Sequence, residues 1–221
     1  MVKQMRFSKI FGIGLPRTGT TSLNIALNRL GIPSIHFPFS LYEFSDFKIL
    51  DQYVGFVDTP IPALYQQLDQ LCPNAGFILT TRPVEQWLAS MEWLLREGPY
   101  IWGRKVTYDD YLIDFWGSKN FDSSLYIARY QSFHAEVMNY FEGRDDLLVL
   151  DLDIGYGYQE LCYFLDLPIP YWEYPRNNEK RPASLLQKLA YNVGKYNSTG
   201  EHWIRRLDYY SKRLQKLLKW L

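Results

Sequence analysis

Short apolar runs alternate with stretches of helical periodicity along most of the chain. Apolar runs of strand length occupy residues 10–13, 33–37, 55–58, 76–81 and 147–151. Apolar residues at helical spacing follow them over residues 20–30, 60–71, 83–96 and 159–165. Strands that alternate with helices in this way are typical of a parallel sheet covered on both faces. The pattern therefore predicts an α/β fold of three layers, with a central, mainly parallel sheet between helices.

Two regions depart from this alternation. Residues 98–143 show no clear strand pattern and predict helices, one of them at residues 123–141. We interpret this region as a helical insertion after the fourth strand, within a single domain that spans residues 1–221. Residues 201–221 predict an amphipathic helix with six basic and two acidic residues. Such a helix packs on its own domain, on a dimer partner or on a membrane surface. We favour packing, in a monomer or a homodimer, over membrane contact.

The overall charge limits the partners that the chain can bind. The 221 residues include 24 Lys and Arg and 24 Asp and Glu, so the formal net charge is zero. A neutral chain offers no electrostatic basis for nonspecific nucleic-acid binding. We therefore expect no nucleic-acid partner.

The cysteines and the N-terminus indicate the compartment. Cys72 and Cys162 are too few for a disulfide framework or a zinc site, and no group of His and Cys has metal-ligand spacing. Residues 1–9 lack the apolar core of a signal peptide, and no apolar run is long enough to cross a bilayer. We therefore expect a cytoplasmic protein that binds no metal.

A turn with two glycines follows the first predicted strand. Gly14 and Gly19 are separated by four residues, and glycine turns in front of a helix aim backbone N–H groups at a phosphate. Nucleoside triphosphatases place a lysine directly after the second glycine, whereas this chain has Thr20 there and carries its loop cation at Arg17. We therefore expect a 5′-phosphate or phosphosulfate rather than a magnesium-bound triphosphate. The alternative is a glycine turn without a ligand.

A second phosphate-binding pattern follows the fourth predicted strand. Arg82 comes directly after that strand, and Ser90 comes eight residues later. Ligands of open α/β folds bind at the carboxyl ends of the strands, and a guanidinium can pair with a phosphate through two hydrogen bonds. The alternative is that Arg82 forms a surface ion pair and that Ser90 is an ordinary helical residue.

Together the two patterns resemble the sulfotransferase family. Residues 16–23, PRTGTTSL, are similar to the 5′-phosphosulfate loop of that family, usually written PKSGTTWL, with Arg17 in place of the lysine. An arginine there, followed by a helix that ends in Leu-Gly, is typical of one branch of the family. Arg82 and Ser90 match the residues with which the family holds a 3′-phosphate. The resemblance extends over about residues 8–182.

The resemblance implies a P-loop fold and a co-substrate, 3′-phosphoadenosine 5′-phosphosulfate, used without a metal. Its sulfuryl group would pass to a hydroxyl or amine of a small-molecule, lipid or carbohydrate acceptor. The residues implied in nucleotide binding are Pro16, Arg17, Thr18, Gly19, Thr20, Thr21, Ser22, Arg82 and Ser90. Arg176, Lys180 and Arg181 lie in an irregular region, where they either close over the 3′-phosphate or form a solvated basic loop.

Three residues are candidates for the catalytic step. The resemblance implies that Arg17 stabilises the charge on the bridging phosphate oxygen. Asp58, at the end of the third predicted strand, is our first candidate for the base that takes the acceptor's proton, and His36 is the second. The alternatives are a helix cap or ion pair for Asp58 and a packed histidine for His36.

Two other functions are compatible with the same nucleotide loop. One is a P-loop kinase that acts on a small molecule, which the missing loop lysine disfavours. The other is a catalytically silent nucleotide-binding protein that serves as an interaction module. Transfer from ATP with Mg²⁺ would support the first, and nucleotide binding without turnover would support the second.

Overall fold

The computed structural model of the chain describes residues 5–45, 47–103, 105–176 and 183–189. The sheet consists of Lys9–Gly12 (β1), Ser34–His36 (β2), Gly55–Val57 (β3), Ala75–Thr81 (β4) and Leu147–Asp151 (β5). These strands run parallel in the order β2-β3-β1-β4-β5. All their carboxyl ends therefore lie at one edge of the sheet, with the end of β1 at its centre.

Helices alternate with the strands along the chain as the hydrophobic pattern predicts. They are Thr20–Arg29 (α1), Ser40–Glu43 (α2), Ile61–Leu71 (α3), Val84–Trp102 (α4), Val106–Trp116 (α5), Ser123–Tyr140 (α6) and Tyr158–Leu165 (α7). The α/β fold of three layers and the helical insertion after the fourth strand are confirmed. Two details differ from the prediction. Helix α4 continues past residue 96, and both α2 and a 3₁₀ helix at Phe47–Asp51 were not predicted.

One face of the sheet buries aliphatic side chains. Ile10 of β1, Val57 of β3 and Ile78 of β4 belong to one buried cluster. Leu23 of α1 and Leu161 of α7 complete the cluster from the helical side and are fully buried. The apolar positions of the two helices thus meet those of the central strands, which is the packing that their spacing predicts.

The other face of the sheet carries a row of aromatic rings. Because side chains alternate along a strand, Phe11, Phe56 and Phe77 all lie on this face. The strand register pairs Phe11 with both neighbours, and its ring centroid lies 5.7 Å from that of Phe56 and 5.5 Å from that of Phe77. Phe141, directly after α6, extends the row at 4.9 Å from Phe77. Many of the chain's aromatic residues therefore serve packing.

Ion pairs hold the amino edge of the sheet, where β4 and β5 begin. Arg144 donates hydrogen bonds to both carboxylate oxygens of Asp69, at 2.7 and 2.9 Å, and to Oδ1 of Asp146, at 2.9 Å. Arg6 pairs with Asp145 at 2.5 Å. The charged groups at this edge thus neutralise one another.

A second compact group of residues, 92–121 and 179–221, contains most of α4 and all of α5. Within this group the carboxylate of Glu97, which is 8% exposed, accepts a hydrogen bond from the Ala183 N–H at 3.0 Å and pairs with Lys188 at 3.2 Å. These bonds tie residues 183–189 to α4. The single domain over residues 1–221 stays a prediction. The predicted helix at 201–221, Lys180 and Arg181 lie outside the described residues.

No helix among the described residues is long and apolar enough to cross a lipid bilayer. Within the same ranges, no group of three or more His, Cys, Asp and Glu side chains is arranged to hold a metal ion. Cys72 and Cys162 are both free thiols, and Cys162 is buried in the aliphatic cluster.

Candidate functional site

The candidate phosphate loop, residues 14–19, connects the central strand β1 to the N-terminus of α1. Gly14 leaves no room for a side chain, because a Cβ atom there would overlap Thr80 Oγ1 of the neighbouring strand. Gly19 has a φ of 108°, in the left-handed region that favours glycine. Gly14 is therefore required by the close approach of Thr80, and Gly19 by its backbone conformation. The ten residues of α1 add the partial positive charge of a helix N-terminus, which favours an anion.

Side-chain hydrogen bonds fix the shape of the phosphate loop. Trp87 of α4, which is fully buried, donates its indole N–H to the Pro16 carbonyl at 2.9 Å. The Thr18 hydroxyl donates to the Leu15 carbonyl at 2.7 Å and lies 2.6 Å from Thr80 Oγ1. The hydroxyl of Thr18 is therefore part of the loop's own framework rather than directed at a ligand.

Arg17 occupies the crown of the loop in a left-handed conformation, with a φ of 73°. Its Nε donates a hydrogen bond at 2.9 Å to the hydroxyl of Ser90, which is fully buried in α4. Burial lowers the pKa of the Arg17 guanidinium, the charge of Asp58 raises it, and the nearby charge of Arg82 lowers it further. The structure thus brings Arg17 into direct contact with Ser90 and places a second cation, Arg82, close to Arg17.

Arg82 follows β4 at the same edge of the sheet. Its Nη1 donates to the Arg17 carbonyl at 3.5 Å, and its Nη2 donates to Oε1 of Gln86 at 3.3 Å. Tyr130 of α6 donates its hydroxyl to the Arg82 carbonyl at 2.6 Å, which fixes the backbone of this residue. The two arginines that the sequence analysis singled out therefore lie together at the carboxyl ends of adjacent strands, where open α/β sheets bind ligands.

A cavity opens beside the phosphate loop and Arg82. Its walls include Ser22, Asp153, Tyr156, Tyr174 and Arg176. Two arginines next to a helix N-terminus provide sites for phosphate groups, and tyrosine rings provide apolar surface for a base or sugar. The cavity wall therefore carries groups of the kind that bind phosphates and aromatic bases, and Arg176 lies on it.

The two candidate bases, His36 and Asp58, contact each other. His36 ends β2 and Asp58 follows β3, its neighbour in the sheet. The distance between His36 Nε2 and Asp58 Oδ2 is 2.8 Å, and the Thr20 hydroxyl donates to the same Oδ2 at 2.7 Å. Thr21 Oγ1 lies 3.3 Å from His36 Nε2, and the Thr59 N–H donates to Asp58 Oδ1 at 2.6 Å. The dyad is thereby joined to the first turn of α1.

Each member of the His36–Asp58 dyad stabilises the charge of the other. Burial by itself lowers the pKa of His36, but the charge and hydrogen bond of Asp58 outweigh burial and raise it above the ordinary value. Burial by itself raises the pKa of Asp58, yet His36 and the hydrogen bonds from Thr20 and Thr59 bring it below the ordinary value. The His36 side chain is 31% exposed and that of Asp58 is 11% exposed. The imidazole is therefore the more accessible member.

The segments that follow three neighbouring strands each contain a residue with an unusual backbone conformation. Arg17, Phe37 and Asp58 follow β1, β2 and β3 with φ angles of 73°, 58° and 76°. Positive φ angles are strained for residues with a side chain, and such strain is concentrated at functional sites. The strained backbone thus marks the same edge of the sheet as the arginines and the dyad.

The structure adds three residues that the sequence analysis missed. The ring centroids of Trp87 and Tyr130 lie 4.5 Å apart. Trp87 bonds to the Pro16 carbonyl, next to Arg17, and Tyr130 bonds to the Arg82 carbonyl. Their helical spacing assigns them only to a core, and no sequence signal connects Tyr130 with Arg82, 48 residues away. The third residue, Asp153, follows the last predicted strand by two positions. Its position just after a strand is the sequence signal that points to it.

Comparisons with known proteins are consistent with this site. The sulfotransferase domain family matches residues 9–48 and 38–183 of the chain. A protein of Aspergillus versicolor named Ava biosynthesis cluster protein M is 26% identical over 245 aligned residues, which cover 84% of this chain and 92% of that protein. The family match begins at β1, ends after α7 and includes every candidate site residue.

Proposed function

Because the chain belongs to the sulfotransferase domain family, we propose that it moves a sulfuryl group from 3′-phosphoadenosine 5′-phosphosulfate to a hydroxyl or amine of an acceptor. The observation that carries this proposal is the distance of 3.5 Å between Arg82 Nη1 and the Arg17 carbonyl, beside the N-terminus of α1. The donor carries phosphate groups at both ends of its ribose, and two adjacent cationic positions match that charge distribution.

The 5′-phosphosulfate group would bind at the phosphate loop. The N–H groups of the first turn of α1 and the helix dipole favour an anion there. Ser22, which lines the cavity, would add a hydroxyl donor. The hydroxyls of Thr18, Thr20 and Thr21 contact other protein atoms, so these residues would contribute through the shape of the loop.

The 3′-phosphate would bind at Arg82, with Arg176 on the wall of the same cavity. A guanidinium offers parallel N–H groups that fit two phosphate oxygens. Ser90 is fully buried and accepts a hydrogen bond from Arg17 Nε, so its first task would be to orient Arg17. The hydrogen bond between Arg17 and Ser90 would thus connect the 5′-phosphosulfate site with the helix that follows Arg82.

In the transfer step the acceptor oxygen or nitrogen would attack sulfur in line with the bridging oxygen. A new bond to sulfur forms while the bond between sulfur and the bridging phosphate oxygen breaks. The electron pair of the broken bond stays on the phosphate, and adenosine 3′,5′-bisphosphate leaves. Arg17, at the crown of the loop, would stabilise that charge without a metal. Alignment and charge stabilisation would supply most of the rate enhancement, as in phosphoryl transfer.

The His36–Asp58 dyad would take the acceptor's proton. In this arrangement His36 Nε2–H donates to Asp58, and the proton from the acceptor goes to Nδ1. The charge of Asp58 then stabilises the imidazolium that forms. The order of the two candidates is therefore reversed in our proposal. Asp58 orients the imidazole, and the more accessible His36 is the base.

We propose a small molecule as the acceptor. The name of the Aspergillus versicolor relative places that protein in a biosynthesis cluster, which supports a metabolite with a hydroxyl or amine group as the acceptor. A lipid or carbohydrate acceptor is the alternative. The cytoplasmic location, the monomeric or homodimeric state and the lack of a nucleic-acid partner stay predictions.

Turnover with purified protein tests the proposed function. The chain is incubated with 3′-phosphoadenosine 5′-phosphosulfate and a panel of alcohols, phenols and amines, and adenosine 3′,5′-bisphosphate is quantified by chromatography. We expect acceptor-dependent release that Arg17→Ala lowers by about 100-fold or more. Phosphorylated products from ATP with Mg²⁺, without release from the sulfate donor, would identify a kinase. Tight binding of the bisphosphate without turnover on any acceptor would identify a silent binding protein.

A further inference from the structure

A carboxylate faces the arginine that would hold the 3′-phosphate. Asp153 Oδ2 lies 3.7 Å from Arg82 Nε, and both residues line the same cavity. On the basis of the proposed function, we propose that Asp153 is a specificity-determining residue. It competes with the 3′-phosphate for Arg82 and thereby lowers the affinity of the site for 3′-phosphorylated adenosine nucleotides.

The turn after β5 places Asp153 beside the cavity. The side chain of Asp151 accepts the N–H of Asp153 at 3.0 Å, and the carbonyl of Asp151 accepts the N–H of Tyr156 at 3.1 Å. The register of β4 and β5 puts Asp151 opposite Thr81, the residue directly before Arg82. The position of Asp153 next to Arg82 is thus built into the sheet and its adjoining turn.

The contact between Asp153 and Arg82 is an ion pair without a hydrogen bond. Arg82 Nε is shielded from solvent and has no hydrogen-bond partner among the described residues. A separation of 3.7 Å is too long for a hydrogen bond. A phosphate oxygen at hydrogen-bond distance from the guanidinium would interact with it more strongly than the carboxylate does. The 3′-phosphate can therefore displace Asp153, but only against the attraction of this pair.

Asp153 lowers the affinity for a phosphate at Arg82 whether its carboxylate stays in place or turns away. If the carboxylate stays in place, it repels the phosphate across a short distance. If it turns to solvent, which its exposure of 37% permits, its attraction to Arg82 is lost. Screening by solvent keeps either effect small. An uncharged side chain at position 153 removes the opposition, so it raises the affinity only for nucleotides that carry a 3′-phosphate.

Titration calorimetry on the full chain tests this proposal. Asp153→Asn and Asp153→Ser are compared with the wild type for binding of adenosine 3′,5′-bisphosphate and of adenosine 5′-monophosphate, at low and at high salt. Asp145→Asn is the matched control, because it removes the same charge from an ion pair with Arg6 at the opposite edge of the sheet. Circular dichroism melting checks that each variant is folded.

We expect both Asp153 variants to bind the bisphosphate about three- to tenfold more tightly than the wild type, with a smaller gain at high salt. Affinity for the monophosphate, and both affinities of Asp145→Asn, should stay unchanged. Unchanged or weaker bisphosphate binding in both Asp153 variants would overturn the proposal, and weaker binding would identify the carboxylate as a ligand of the nucleotide. A wild-type chain without preference for the bisphosphate would instead overturn the 3′-phosphate site of the proposed function, and this inference with it.

Discussion

At the amino edge of the sheet, Arg144 shares its guanidinium between the carboxylates of Asp69 and Asp146, whereas at the carboxyl edge Arg82 lies beside another arginine, Arg17. The first arrangement neutralises its own charge through hydrogen-bonded ion pairs. The second places two arginines together, and the carboxylate nearest to Arg82 among the described residues, that of Asp153, lies 3.7 Å away without a hydrogen bond. Arginine and aspartate occur at both edges. The distinction between a structural cluster and a candidate binding site therefore lies in the arrangement of the charges and not in the residue types.

The pKa values of Arg144 and Arg17 are shifted in opposite directions. The hydrogen bonds that Arg144 donates to Asp146 and Asp69 raise the pKa of its guanidinium. Burial lowers the pKa of Arg17, although the charge of Asp58 opposes that change. Bringing an anion to Arg17 would relieve an electrostatic cost, while bringing one to Arg144 would compete with existing ion pairs. A ligand phosphate is therefore expected at the carboxyl edge only.

The largest effect is expected from the arginines themselves. Arg17→Ala should lower kcat by about 100-fold or more, because it removes a group aimed at the charge that develops on the leaving phosphate. Arg144→Ala, the matched substitution at the amino edge, should leave kcat unchanged. Steady-state kinetics with 3′-phosphoadenosine 5′-phosphosulfate and a saturating acceptor measures both. An equal loss of kcat in both variants would contradict a functional difference between the two edges of the sheet.

The His36–Asp58 dyad should affect the chemical step at the carboxyl edge and not nucleotide binding. Asp58→Asn should lower turnover by roughly 100-fold, since the imidazole loses the charge that orients and stabilises it. Calorimetric affinity for adenosine 3′,5′-bisphosphate should survive. Turnover equal to that of the wild type would remove Asp58 from the mechanism, and a parallel loss of nucleotide affinity would indicate a structural role.

The pH profile of the same variant identifies the base. The pKa of His36 is raised, so the wild-type kcat/KM should increase only as pH rises through that elevated value, where the imidazole loses its proton. Asp58→Asn removes the interactions that raise the pKa, and the rising limb should move to lower pH. A limb that does not move would show that His36 is not the titrating group.

The smallest effect concerns stability at the amino edge. Arg144→Ala should lower the free energy of unfolding by about 1 kcal/mol, because its ion pairs are partly exposed. The pKa of Asp69 is lowered by its bonds to Arg144, so this stabilisation is present above the ordinary carboxylate pKa and is lost as pH falls through the lowered value. Urea denaturation at neutral and acid pH measures the difference, which should shrink in acid. A difference in unfolding free energy that does not change with pH would show that the ion pairs are not its source.

The strands and long helices were predictable because their apolar positions repeat with a clear period. The phosphate loop, Arg82 and Ser90 were predictable because they form contiguous patterns at strand ends. Helix α2 was missed because its four residues are too short to show a period. The pairing of His36 with Asp58 depends on β2 and β3 being neighbours in the sheet, and the inward hydroxyl of Thr18 depends on Thr80 of β4. Which strands are neighbours in a sheet cannot be read from the local sequence of either strand.

The central claim is that the carboxyl edge binds an adenosine nucleotide through phosphates at both ends of its ribose. Calorimetric titration of the wild type and of Arg82→Ala with adenosine 3′,5′-bisphosphate, adenosine 5′-monophosphate and ATP with Mg²⁺ tests it most directly. We predict that the wild type binds the bisphosphate at least about tenfold more tightly than the other two, and that Arg82→Ala abolishes this preference. Equal affinities in the wild type, or tightest binding of ATP with Mg²⁺, would contradict the account.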